Sequence, residues 1–161
     1  MKHGRVEVDD LLRARRTTLG LTDAEVAGRA GLSRNELRDL EQHEDEAVHV
    51  VQLRNLRLLC AVLGVDALDL LGIPCASCAR ADAGRLGGGR HDVVRERRIA
   101  LGLSQAALAD RIGFEAGVVA DIERDPDYLE GWSAGLVLSL AEVLGVPPQV
   151  LLDVRCRKCG R

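Results

Sequence analysis

The sequence predicts an all-α fold of two tandem five-helix units joined by a glycine-rich linker, and three observations predict it. The first is self-similarity. Leu12-Arg13-Ala14-Arg15-Arg16, followed by Leu19-Gly20-Leu21, recurs 82 positions later as Val94-Arg95-Glu96-Arg97-Arg98, followed by Leu101-Gly102-Leu103. Downstream, Leu63-Gly64-Val65 matches Leu144-Gly145-Val146 at a shift of 81, so one residue was gained or lost in the loop after the third helix. The second observation is the spacing of apolar residues, which is helical in short segments separated by breakers. The third is composition: 47% of residues are hydrophobic but only 2% aromatic, and a Leu, Val, Ala and Ile interior suits small, closely packed helices better than sheets.

Each element has a local reason. In the first copy the pattern places helices near 8–18, 23–29, 33–42, 50–63 and 66–71, and in the second near 91–100, 105–111, 115–123, 132–144 and 147–152. Ser33 with Glu36 three residues on is a capping-box pattern; Thr22 with Glu25, and Ser104 alone, are weaker instances. Gly31 and Gly113 fall where a left-handed residue would end the second helix of each copy. Gly84 to Arg90 reads as a flexible linker, because its glycines lack the Lys-Ser/Thr that follows a phosphate-binding loop. The expected boundaries are 1–74 for the first unit, 75–90 for a cysteine segment and linker, 91–155 for the second unit and 156–161 for a cysteine tail.

Charge is unevenly spread. Net charge is −3, with 10 basic against 13 acidic residues in 1–74 and 6 against 11 in 91–155. Residues 75–90 carry 3 against 1 and the last six carry 3 against none, so the units are acidic and the cysteine segments basic. No apolar run approaches membrane-spanning length, and the charged N-terminal stretch reads as lacking a signal peptide, so the expectation is a cytoplasmic protein without membrane contact. His3, His43, His49 and His91 form no nucleophile-and-base pattern and no metal-ligand spacing, which argues against an enzyme.

Leu103-Ser104-Gln105-Ala106-Ala107-Leu108-Ala109-Asp110-Arg111-Ile112-Gly113 resembles the second helix and turn of the Cro/phage-repressor (lambda-repressor-like, XRE-like) helix-turn-helix family, and Leu21 to Gly31 resembles it slightly less closely. The resemblance covers roughly residues 6–73 and 91–154. It implies two helix-turn-helix domains in which small Ala27 and Ala109 let the second and third helices approach. It also implies structural ion pairs between Arg16 and Glu41 and between Arg98 and Glu123.

The resemblance further implies that the third helix enters the DNA major groove. In the first copy its leading turn holds Ser33, Arg34 and Asn35, with Arg38 one turn later. Arg offers two donors to guanine and Asn a bidentate pair to adenine, while Ser33 at a helix N-terminus can hold a phosphate. Thr22 and Gln105, at the start of the second helices, are further expected DNA contacts, Gln105 being the family's phosphate-contacting type where the first copy has Asp23. The second copy has Glu115, Ala116 and Gly117 instead, which give nothing to a base; there Phe114 and Val118 are expected to form an exposed apolar spot for a protein contact or a homodimer. The loops after the third helix, His43-Glu44-Asp45-Glu46 and Asp125-Pro126-Asp127, are acidic and would weaken DNA binding.

Cys75 and Cys78 fall on Cys156 and Cys159 in the repeat register, whereas Cys60 aligns with Ala141 and reads as a buried small hydrophobe. Two Cys-x-x-Cys pairs complete a tetrahedral Cys₄ zinc site, and Arg80, Arg155, Arg157 and Lys158 are expected to offset its negative charge. Redox dithiols, an iron–sulfur centre and disulfides are the alternatives. The expected function is a DNA-binding transcriptional regulator clamped by zinc and bound to double-stranded DNA. The alternative is a protein-interaction adaptor or antitoxin-like subunit on the same scaffold.

Overall fold

The computed structural model describes residues 8–43, 49–75 and 89–160. The described residues are all-helical: α1 Val8–Thr18, α2 Asp23–Ala30, α3 Arg34–Gln42, α4 Leu53–Leu63 and α5 Ala67–Leu70, then α6 Arg90–Ala100, α7 Gln105–Ile112, α8 Ala116–Arg124, a 3₁₀ turn Tyr128–Gly131, α9 Ala134–Leu144 and α10 Pro148–Leu152. Among the described residues the one extended pairing is an isolated antiparallel bridge between Gln52 and Ser133. No described helix is long and apolar enough to cross a membrane.

Local chemistry sets the helix ends. Thr22 and Ser33 each close a full capping box, the side-chain oxygen accepting from the Glu25 or Glu36 amide while that glutamate accepts from the cap amide at 2.8 and 2.7 Å. Ser104 and Ser133 cap α7 and α9 by the first half of the motif only. Gly31 and Gly113 end α2 and α7 at φ 67° and 77°, a conformation that a side chain would strain, and the chain turns there into the next helix.

Two starts differ from the sequence expectation. α4 and α9 begin at Leu53 and Ala134, not near 50 and 132, because the preceding residues are extended and pair across the molecule. Leu53 N–H donates to Trp132 C=O (2.8 Å) and Ala134 N–H donates to Val51 C=O (3.1 Å). The 3₁₀ turn was not legible, and α6 begins at Arg90, one residue earlier than expected, while residues 76–88 lie outside the described residues.

Leucine dominates the interior. Leu12, Val26, Leu37, Leu40, Leu53, Leu56, Leu59 and Leu63 are buried in the first half, and Val93, Val94, Leu108, Val119, Ile122, Leu140 and Leu144 in the second. Each contributes about 1.5–3 kcal/mol by leaving water. Ala27 and Ala109 are also buried, and their small side chains let α2 meet α3 and α7 meet α8 closely.

A set of polar contacts recurs between the halves. Arg16 grips Glu41 with two N–H donors (2.6 and 2.9 Å) and reaches Leu21 C=O; Arg98 grips Glu123 in the same fashion and reaches Leu103 C=O. Arg15 Nε donates to Leu63 C=O at 3.2 Å, and Arg97 Nε to Leu144 C=O at 3.2 Å. Burial pushes Glu123 towards its neutral form, but hydrogen bonds from Arg98 and Gln105 outweigh it, so its carboxyl titrates below the ordinary value. Where the halves meet, Glu130 accepts from both Arg57 of α4 and Arg90 of α6, and Arg57 also reaches Asp153.

Candidate nucleic-acid interface and thiol centre

The α2–turn–α3 unit carries most of the expected DNA contacts. Thr22 and Ser33 occupy the N-caps of α2 and α3, with their hydroxyls committed to the capping boxes. Arg34, Asn35 and Arg38 all lie exposed on α3. Asp23, the first residue of α2, sits between the two cations: Arg34 Nη2 donates to it at 3.1 Å, and Arg38 Nη2 lies 3.8 Å away. The Arg34 hydrogen bond holds the Asp23 carboxyl below its ordinary range. The sequence had marked Asp23 only as a missing phosphate contact. The geometry adds that it shares the charge of the two arginines beside it. The expected acidic loop after α3 continues into 44–46, outside the described residues.

The matching turn in the second half is different in kind. Glu115 is the N-cap of α8 but makes no capping hydrogen bond, and Ala116 and Gly117 are exposed. Gln105 donates from Nε2 to Glu123 Oε2 at 2.9 Å, joining the Arg98–Glu123 pair. The expected exposed apolar spot is absent. Phe114 stacks on Trp132 (centroids 4.9 Å apart), and Phe114 and Val118 are both half-buried. The cause is Trp132, delivered by the loop before α9, whose ring no helical periodicity places there.

The cysteines converge. Cys75, at the exit from the first half, and Cys156 and Cys159, beyond α10, bring three sulfurs within 4.8 Å of one another. Cys78 lies outside the described residues. Cys75 Sγ and Cys159 Sγ are 3.7 Å apart. Four thiolates tetrahedral about a zinc ion at about 2.3 Å would stand ~3.8 Å apart, so three sulfurs this close could hold a metal ion. Gln149 Nε2 donates to Cys75 Sγ at 3.6 Å, the type of outer hydrogen bond that orients a thiolate.

The chain segment bearing Cys156 and Cys159 docks on the opposite half. Asp66 accepts from the Arg157 amide at 2.9 Å, the Arg157 side chain donates to Gly64 C=O, and Lys158 pairs with Asp69 at 3.4 Å. The sequence had assigned Arg157 and Lys158 to charge compensation at the cysteines; here they anchor the tail, and Arg80 lies outside the described residues. Cys60 is buried in α4, and burial, with Asp66 nearby, pushes its thiol up to about 12, so it stays protonated as a small hydrophobe.

No curated protein and no solved structure compared with the chain matches it. Residues 94–151, from the first turns of α6 into α10, match the family model described as Helix-turn-helix.

Proposed function

We propose that the chain is a DNA-binding transcriptional regulator built from two tandem lambda-repressor-like helix-turn-helix domains, 1–74 and 91–155, clamped by zinc at Cys75, Cys78, Cys156 and Cys159. One observation carries the reading. The end of α3 is held to α1 by Arg16–Glu41 just as the end of α8 is held to α6 by Arg98–Glu123 inside the matched segment, yet of the two helices α3 alone sets Arg34, Asn35 and Arg38 on the solvent face. In this reading α3 lies in the major groove, with Arg34 and Asn35 on base edges and the Ser33 and Thr22 helix ends on phosphates. Gln105 contributes a backbone contact from the second domain once its amide turns from Glu123. Zinc supplies no chemistry here beyond holding four thiolates from the two halves. The observed sulfur spacing, the Gln149 donor and the crossed docking of the tail support it.

Selection from random DNA duplexes tests the reading. Recovery of a consensus half-site, with binding that falls steeply as salt rises, is the expected result. Elemental analysis of protein purified without chelator should return one zinc per chain. The second reading is an adaptor or antitoxin-like subunit with little DNA binding of its own. The Asp23 carboxylate beside Arg34 and Arg38 favours it, as does the second domain's Glu115-Ala116-Gly117 turn. Selection that yields no consensus, with a protein partner bound in its place, would choose that reading.

A further inference from the structure

A cavity of about 400 Å³ opens beside α3, walled by Leu32, Glu36, Asp39, Val50, Val51 and Asn55. That volume lies in the range of small-ligand sites. Val50 stands on its rim with 73% of its surface exposed. The repeat explains why the space is open. At the shifts that relate the two halves, Leu32 corresponds to Phe114 and Val51 to Trp132. In the second half those two rings stack at 4.9 Å, and Trp132 packs against the core. The first half carries two smaller side chains at these positions, so among the described residues none fills the room that the rings take in the other half.

The walls differ in charge as well. Val118 stands where the first half has Glu36, and Leu136 where it has Asn55, while Asp39 keeps its acid as Asp121. The first-half cavity therefore carries two carboxylates and the two amides of Gln52 and Asn55 around an apolar floor of Leu32, Leu40 and Val51. Asp121 is paired with Arg124, whereas the residue in the place of Arg124 is Gln42.

We infer that this cavity is a binding site for a small planar aromatic molecule that bears a cationic amine, the ring taking the place that Trp132 fills in the second half and the amine meeting Asp39 and Glu36. The site rests on the repeat correspondence but not on DNA binding, and its test is read on the protein alone. Because α3 forms one wall and also carries Arg34, Asn35 and Arg38, occupancy would bear on the helix proposed to read DNA.

The test is titration of the full chain with tryptamine, followed by amide and methyl NMR shifts and by calorimetry. Saturable shifts at Leu32, Val50 and Val51 are expected. Asp39→Asn, an exposed change that leaves the fold intact, should weaken binding about tenfold through loss of a charge-assisted contact. Leu32→Phe combined with Val51→Trp copies the second half's rings into the first. It should abolish binding while melting at or above the wild-type temperature, since it fills the cavity. No saturable shift up to the solubility limit of tryptamine would overturn the inference. So would undiminished binding to a folded double variant, or equal affinity for indole-3-propionate, whose charge is opposite. Loss of all DNA binding with tryptamine binding intact would refute the proposed function and leave this site standing.

Discussion

Glu130 is one of the anions on which the two halves meet, and its removal has a calculable effect. Its carboxylate accepts from Arg90, whose side chain is only 9% exposed, and from Arg57, at 29%. Glu130→Gln keeps the shape but leaves two guanidiniums facing a neutral amide. Breaking a fully buried pair from one side costs about 3–5 kcal/mol, and an exposed pair about 0.2–1. With a side chain 17% exposed, and with Arg57 retaining Asp153 and Arg90 retaining Leu151 C=O, an intermediate ~2–3 kcal/mol is expected. For a chain of this size that is a fall in Tm of roughly 4–12 °C. Thermal denaturation followed by circular dichroism at neutral pH reads it directly. The pH dependence gives a second arm. Burial raises the Glu130 pKa but the two arginines outweigh it, so the folded value lies below the unfolded one. The contribution is therefore fully present above about pH 4.3, the ordinary glutamate value, and is lost as pH falls through the folded pKa. In acid the variant and the wild type should converge. A Glu130→Gln protein within about 0.5 kcal/mol of wild type at neutral pH would refute the reasoning.

Other consequences follow from single contacts. A Cβ on Gly135 would lie 3.0 Å from the His49 carbonyl oxygen, backbone that cannot swing aside. Gly135→Val should thus loosen the junction between the halves and speed proteolysis of the chain between them, while leaving helix content unchanged. Ser33→Ala removes one half of the α3 capping box and should destabilise by about 1 kcal/mol in urea unfolding. Cys159→Ser should cut bound zinc by most of its stoichiometry, and chelator should reproduce the effect on the wild type; an unchanged zinc content would place the metal elsewhere.

What the sequence made legible was local or repeated. The Ser33–Glu36 box needs only two residues three apart, so their side-chain chemistry declares it. The Arg16–Glu41 and Arg98–Glu123 pairs span 25 residues each, yet the repeat set them in equivalent positions and the family resemblance supplied their partners. The nearness of Cys75 to Cys156 and Cys159 was visible for the same reason, because equivalent exits from two similar halves can meet about a pseudo-two-fold axis.

The unforeseen features depend on how loops deliver side chains. Trp132 reaches Phe114 only because residues 51–53 and 132–134 pair as an extended bridge, which no helical periodicity encodes. Asp23 reaches Arg34 because the tight turn at Gly31 brings the start of α3 beside the start of α2. Gln105 faces Glu123 instead of solvent because the buried carboxylate has room for a third donor beyond Arg98. Periodicity identifies the face of a helix but not which neighbour satisfies its polar tips.

The most direct test of the central claim compares two pairs of substitutions on one selected duplex. Arg34→Ala with Asn35→Ala should abolish specific binding, because each bidentate base contact is worth about 1–3 kcal/mol, and leave only weak, salt-sensitive association. Ala116→Ser with Gly117→Ala, at the corresponding turn of the second half, should leave specific affinity within about twofold of wild type, the range of a surface change. Equal losses from the two pairs, or none from the first, would contradict the account.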